Sequence, residues 1–157
     1  MVRGMILPTG VGKLWLEADE RALVRVCFLE AQAKLPEVLV GENALLRQAR
    51  RQLLEYFAGD RCVFDLPLAF CGTPFQQRVW WALCTIPYGE TRTYGQIAEQ
   101  VGCQGGARAV GMANHRNPVG IVVPCHRVIG ADGGLVGYAG GLGPKAFLLQ
   151  LEQRNCK

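Results

Sequence analysis

The stretch that most constrains this chain is Ile121-Val122-Val123-Pro124-Cys125-His126-Arg127-Val128-Ile129, an apolar run interrupted at its middle by a thiol, an imidazole and a guanidinium. The β-branched residues on both flanks favour a buried, extended backbone. Pro124 lacks an N–H and pushes Val123 into an extended conformation, which predicts a strand ending where Cys125 begins. A thiol beside an imidazole at such a place has two readings. It is one more buried cysteine next to an ordinary loop histidine, or it is a nucleophile with its base. These nine residues alone do not choose between them.

The remaining chain narrows the choice. Its 157 residues suffice for one domain or for two small ones sharing an interface. With 50% hydrophobic and 19% charged residues, the composition suits a soluble globular protein. No apolar run approaches the roughly 20 residues that span a bilayer, and Met1-Val2-Arg3-Gly4 does not begin a signal peptide, so a cytoplasmic protein without membrane contact is expected. The seven cysteines are odd in number and contain no CxxC, which predicts reduced thiols and no disulfide framework. Neither of the two histidines is paired with a second ligand at a familiar interval, so neither a metal nor a cofactor is expected. The net charge of +4 is unevenly placed: residues 1–71 carry nine Lys/Arg against nine Asp/Glu, and residues 72–157 carry eight against four. That surplus, on the half holding Cys125, favours a polyanionic partner.

An α+β fold is expected, with a small sheet-plus-helix domain over residues 1–71 and a mainly helical domain over residues 72–157. Residues 5–7, 14–16 and 22–29 read as strands, with turns at Thr9-Gly10 and Asp19-Glu20. Val24, Val26 and Phe28 alternate with Arg25 and Cys27. From Asn43 to Phe57 the period turns helical, with Leu45, Leu46, Ala49, Leu53 and Phe57 on one face and Gly59 as a stop. Nothing in this half forms a catalytic constellation, so it reads as a support. Thr73 and Pro74 cap a helix reaching Ile86, whose Phe75, Val79, Trp80 and Leu83 read as core.

Two short helices follow, over residues 93–101 with Thr91 or Thr93 as cap, and 107–114, joined by a glycine-containing turn. This is the helix-turn-helix pattern. The second helix is nearly all Ala and Gly, with Arg108 its one long cation near the start. Such a helix has little with which to read the major groove. Its small residues permit close approach, to a minor groove roughly 6 Å wide or to its own protein. Pro144 then opens a last helix carrying Phe147, Leu148, Leu151 and the acidic Glu152.

At this point the second half resembles a known family. Pro124-Cys125-His126-Arg127-Val128 matches the active-site signature of the O6-alkylguanine-DNA alkyltransferases, also called methylated-DNA–protein-cysteine methyltransferases. Phe75-Gln76-Gln77-Arg78-Val79-Trp80, Ile86-Pro87-Tyr88-Gly89-Glu90-Thr91, Ala107-Arg108-Ala109-Val110-Gly111, Asn117-Pro118 and Gly137-Tyr138 are similar as well, in the same order. The resemblance covers residues 72–153, is loose over residues 1–71, and points to the single-function form.

What it implies is DNA repair by direct reversal: one irreversible transfer of an alkyl group from O6-alkylguanine, and from O4-alkylthymine, to Cys125. By the same resemblance His126 takes the thiol proton through a water, Glu152 orients His126, Tyr94 donates near the guanine oxygen, and Asn117 holds the turn beside the cysteine. Arg127 anchors the backbone there and is counted, with Val128, Tyr138 and Ala139, among the pocket residues. The DNA-contacting set is Thr93, Tyr94, Ala107, Arg108, Ala109, Gly111 and Arg116, with Arg108 filling the place of the flipped base. Ala139 departs from a serine found in some members, and Asn114-His115-Arg116 differs from several. The implied partner is double-stranded DNA, bound by a monomer, with cooperative binding along DNA left open. A non-catalytic binder of alkylated bases is the rival class, since such proteins keep the fold but replace the acceptor cysteine, which is intact here. A cysteine hydrolase is a third class, for which no oxyanion or water-activating motif is present.

Overall fold

The structure is a computed structural model that describes residues 1–29, 36–134 and 142–155. The chain forms two compact units, Met1–Phe70 and Cys71–Lys157. The α+β class expected from the sequence holds.

In the first unit, strands β1 (Arg3–Thr9), β2 (Gly12–Ala18), β3 (Leu23–Phe28) and β4 (Leu39–Val40) make one sheet in the order β3-β2-β1-β4. Thr9 pairs with Gly12 across the first hairpin, where Gly12 has φ +130°, a region that L side chains avoid. The Asp19 carboxylate accepts from the N–H groups of Arg21 and Ala22 and so closes the second turn. The alternation expected along β3 is broken: Leu23 and Val26 are the buried residues, because the register with β2 shifts between Glu17 and Ala18. One face of the sheet is covered by α1 (Ala44–Phe57), capped by the Asn43 side chain at 2.8 Å. Leu46, Ala49, Leu53 and Tyr56 of α1 are fully buried, so Tyr56 takes the core position expected of Phe57. Gln52 was not anticipated as a core residue. Its amide donates to the Asp65 carbonyl at 3.0 Å and its oxygen accepts from the Asp65 N–H at 2.8 Å, fastening the segment after the helix.

The second unit holds α2 (Pro74–Leu83), β5 (Arg92–Thr93), α3 (Tyr94–Gln100), α4 (Ala107–His115), a 3₁₀ turn at Cys125–Arg127, β6 (Val128–Ile129) and α5 (Leu142–Asn155). Both α2 and α3 start with a capping box, Thr73 with Gln76 and Thr93 with Gln96. α2 ends at Leu83, short of Ile86. Trp80 of α2 is buried and donates its indole N–H to the Ala113 carbonyl at 2.8 Å, tying α2 to α4. Gly72 lies so close to this indole that a Cβ there would meet Trp80 Cη2 at 2.6 Å.

The expected strand before Cys125 does not form. Val119–Val123 folds back on itself through the bonds Val122 N–H to Gly120 O and Val123 N–H to Val119 O, with an isolated bridge between Gly120 and Val123. Two features explain it. The Asn117 side chain donates to the carbonyls of Val119 and Val123 and accepts from the Val119 N–H, satisfying groups that a ladder would otherwise need. Ile121 supplies the bend at φ 69°, a left-handed conformation that is costly for a β-branched residue. Burial of the apolar run is retained, and only its backbone shape differs from the expectation.

Candidate active site and the helix that faces outward

Cys125 opens the 3₁₀ turn and is 3% exposed. Its N–H donates to the Val123 carbonyl at 2.8 Å, and its carbonyl accepts from the Asn114 amide at 3.2 Å. A two-residue parallel pairing, Arg92 with Val128 and Thr93 with Ile129, sets the start of α3 beside the turn. Tyr94, the first residue of α3, thereby comes to the cysteine; it is buried, and its ring is within electrostatic reach of Cys125.

His126 and Arg127 converge on Glu152 of α5, and all three are buried. Nε2 of His126 lies 2.6 Å from Glu152 Oε2. Arg127 grips the same carboxylate in a fork, Nε to Oε1 at 2.8 Å and Nη2 to Oε2 at 3.0 Å, and donates Nη1 to the Ile86 carbonyl at 2.7 Å. The Gly89 N–H adds a further bond to Oε1 at 3.2 Å. Arg127, expected among the pocket residues, thus has its guanidinium committed to Glu152 and Ile86.

The electrostatics follow from these contacts. Burial opposes ionisation of Glu152, yet the hydrogen bonds and charges of His126 and Arg127 outweigh it and hold the carboxyl at about 2. Burial pushes His126 below its ordinary value, against the pull of Glu152, so the imidazole is neutral at pH 7. A neutral ring whose Nε2 faces a carboxylate carries its proton on Nε2. Nδ1 is then the unprotonated nitrogen, and it is buried with no hydrogen-bond partner. Burial pushes the Cys125 thiol up to about 11, opposed by the Asn117 side chain, the Lys145 charge and nearby backbone N–H groups. Burial also raises Tyr94, reinforced by Cys125 and opposed by a hydrogen bond with Asn114.

Helix α4 has two faces. Val110, Ala113 and Asn114 are buried, and Ala107, Arg108, Ala109, Met112, His115 and Arg116 at its end are exposed. The outer side forms a groove of about 620 Å³ lined by Tyr94, Ala107, Arg108, Gly111, Met112, His115 and Arg116. Most of the expected DNA-contacting residues meet there. Ala109 lies on the exposed helix surface, and the Thr93 hydroxyl oxygen caps α3 by accepting from Gln96 N–H at 3.1 Å. Tyr138 and Ala139 lie outside the described residues.

Met112 and Lys145 were not singled out by sequence, and His115 was noted only as a departure from several relatives. For Lys145 a signal existed, because it shares the buried stripe of α5 with Leu148 and Glu152. Val128 is buried, and its carbonyl accepts from Lys145 Nζ at 2.5 Å. Among the described residues no group of three His, Cys, Asp or Glu is arranged to hold a metal, and no helix is long and apolar enough to cross a membrane. The six described cysteines are free thiols.

Comparison with known proteins gives the class to which this fold belongs. Residues 74–154 match the family model described as the DNA binding domain of 6-O-methylguanine DNA methyltransferase, and residues 2–70 match its ribonuclease-like domain. The chain belongs to the 6-O-methylguanine DNA methyltransferase family. It is 52% identical over 149 residues to the methylated-DNA–protein-cysteine methyltransferase of Methanosarcina acetivorans, covering 94% of this chain and 96% of that one. It is 63% identical over 114 residues to the protein of the same name from Mycobacterium leprae, covering 73% and 69%. Among solved structures, the O6-methylguanine methyltransferase of Mycobacterium tuberculosis superposes with TM-score 0.92 at 48% identity, over 100% of this chain and 96% of that one. The M. tuberculosis OGT in complex with DNA gives TM-score 0.87 at 47% identity, over 98% and 93%.

Proposed function

We propose that this chain reverses DNA damage directly, moving the alkyl group of O6-alkylguanine, and of O4-alkylthymine, onto Sγ of its own Cys125 in a single irreversible event. The observation that carries this reading is the arrangement behind Cys125: an ionised Glu152 holding a neutral His126 whose Nδ1 is buried and unengaged. That is nucleophile, base and orienter in the generalised triad.

The thiol proton passes to His126 Nδ1 through one water. The thiolate then attacks the alkyl carbon, the S–C bond forms as the C–O6 bond breaks, and the electron pair stays on the guanine. Tyr94 gives its hydroxyl proton to the leaving base and regains one from the imidazolium, so the net transfer is of the thiol proton to guanine. The alkyl carbon is out of reach inside a duplex, so the nucleotide is extruded. The exposed, small-residue face of α4 lies in the minor groove, with Arg108 in the vacated stack. One monomer acts on each lesion in the cytoplasm, and residues 1–71 act as support.

Intact and peptide mass spectrometry after incubation with O6-methylguanine DNA tests this. A methyl adduct on Cys125, in one equivalent per chain, is expected. DNA that stays bound without an adduct would favour a non-catalytic binder of alkylated bases.

A further inference from the structure

The turn that follows α2 has no part in the steps above, yet three of its residues reach the buried charges behind the thiol. The Ile86 carbonyl accepts from Nη1 of Arg127 at 2.7 Å. The half-buried Tyr88 ring lies under the same guanidinium, whose Cζ is 5.6 Å from the ring centre. The Gly89 N–H donates to Oε1 of Glu152 at 3.2 Å. Gly89 takes φ 80°, a left-handed conformation that favours glycine, and the Glu90 N–H closes the turn on the Pro87 carbonyl at 3.1 Å. Helix α5 holds the turn from outside, because the exposed Gln153, next to Glu152, donates its amide to the Gly89 carbonyl at 3.0 Å.

These contacts fix the rotation of the Glu152 carboxylate. Its Oε2 meets Nε2 of His126 at 2.6 Å and Nη2 of Arg127 at 3.0 Å, while Oε1 takes Nε of Arg127 and the Gly89 N–H. The imidazole is therefore aimed by a carboxylate that Arg127 aims in turn. A guanidinium makes its hydrogen bonds in its own plane, and only a flat partner supports its face. Tyr88 supplies that support. We propose that Tyr88 is a positioning residue for the proton-accepting step, whose ring seats Arg127 on Glu152 and so holds His126 with Nδ1 toward the thiol. The assignment rests on Cys125 being the acceptor and His126 its base.

The experiment compares wild type with Tyr88→Phe, Tyr88→Leu and Gln153→Ala, after circular dichroism has checked the folding of each. Adduct formation on Cys125 is followed over a range of free O6-benzylguanine concentrations, which separates the saturating rate from the half-saturating concentration. Proton NMR in water, without substrate, follows the His126 Nε2–H. The chain has two histidines, and the other, His115, is exposed. A proton held in a short bond to a buried carboxylate resonates far downfield and exchanges slowly with water.

Tyr88→Leu is expected to lower the saturating rate about tenfold, a fraction of the hundredfold that a misplacement of about 1 Å costs. Its half-saturating concentration stays within about twofold of wild type, and its Nε2–H signal moves upfield or broadens. Tyr88→Phe keeps the ring and restores both rate and signal. Gln153→Ala, at the surface, shifts both in the same direction as Leu, by about two- to threefold in rate. A Phe variant as slow as Leu, a Leu variant within about twofold of wild type, or a slow Leu variant with the His126 signal unchanged overturns the assignment. If wild type itself forms no adduct on Cys125, the proposed function fails, and the NMR signal alone then decides whether Tyr88 holds the imidazole.

Discussion

Replacing Glu152 by Gln changes one formal charge and almost no volume, so its effect isolates the electrostatics of the buried cluster. In the variant, Arg127, at 6% exposure, keeps its guanidinium but loses the carboxylate it grips. The new amide must also turn its NH2 toward either Arg127 or the Nε2–H of His126, a donor against a donor. The carboxyl is held at about 2 against an ordinary 4.5. At about 1.4 kcal/mol per unit, that gap corresponds to on the order of 3 kcal/mol of stability from the ionised form. An independent route agrees, since removing one partner of a buried pair costs about 3–5 kcal/mol. For a chain of this size the melting temperature should fall by roughly 6–12 °C.

Because the folded carboxyl is depressed, its contribution is complete above about pH 4.5 and is lost as pH falls through about 2. Urea unfolding followed by tryptophan fluorescence should therefore show a constant gap between wild type and Glu152→Gln from pH 5 to pH 8, closing in acid. Adding Arg127→Met to Glu152→Gln should recover part of the loss, because no uncompensated guanidinium remains. A loss below about 1 kcal/mol, or a double variant that loses the sum of the two singles, would refute the reasoning.

Three further substitutions test the outer face of α4 and the packing of the first unit. Arg108→Ala should slow repair of duplex DNA by about 10- to 100-fold, the cost of an unsupported flipped base, and leave reaction with free O6-benzylguanine within about threefold; equal loss on both substrates would make Arg108 structural. In the first unit, a Cβ at Gly4 would sit 2.2 Å from Trp15 Cζ2, whereas at Gly10 it meets nothing within 4 Å. Gly4→Ala should cost about 1–3 kcal/mol in denaturant unfolding and Gly10→Ala close to none, and similar values for the pair would contradict the close approach.

Much of this architecture was legible because it rests on local chemistry. Thr73-Pro74 and Thr93 cap helices as their side chains dictate, and the small residues of α4 pack inward at Val110, Ala113 and Asn114 while Arg108 stays out. What escaped depends on partners distant in sequence. β4 is two residues long and gains its place only by pairing with β1. The β5–β6 pairing joins residues more than thirty positions apart, with no periodic signal in either. The run before Cys125 has a strand's composition, yet its shape is set by the Asn117 side chain and by Ile121 in the left-handed region. Lys145 escaped because a lysine on a helix reads as solvated until the helix is docked.

The covered state of Cys125 bears on how the protein keeps between encounters with damage. Oxidation and stray alkylation follow thiolate character and access. Cys62 and Cys71 are exposed, whereas Cys125 is 3% exposed and its thiol is pushed up to about 11. For an acceptor used once, each chance reaction removes a molecule from service as surely as a repair does. On the proposed assignment of Cys125 as the acceptor, a cell's repair capacity is a stock of intact Cys125 thiols, and their burial gives that stock its shelf life.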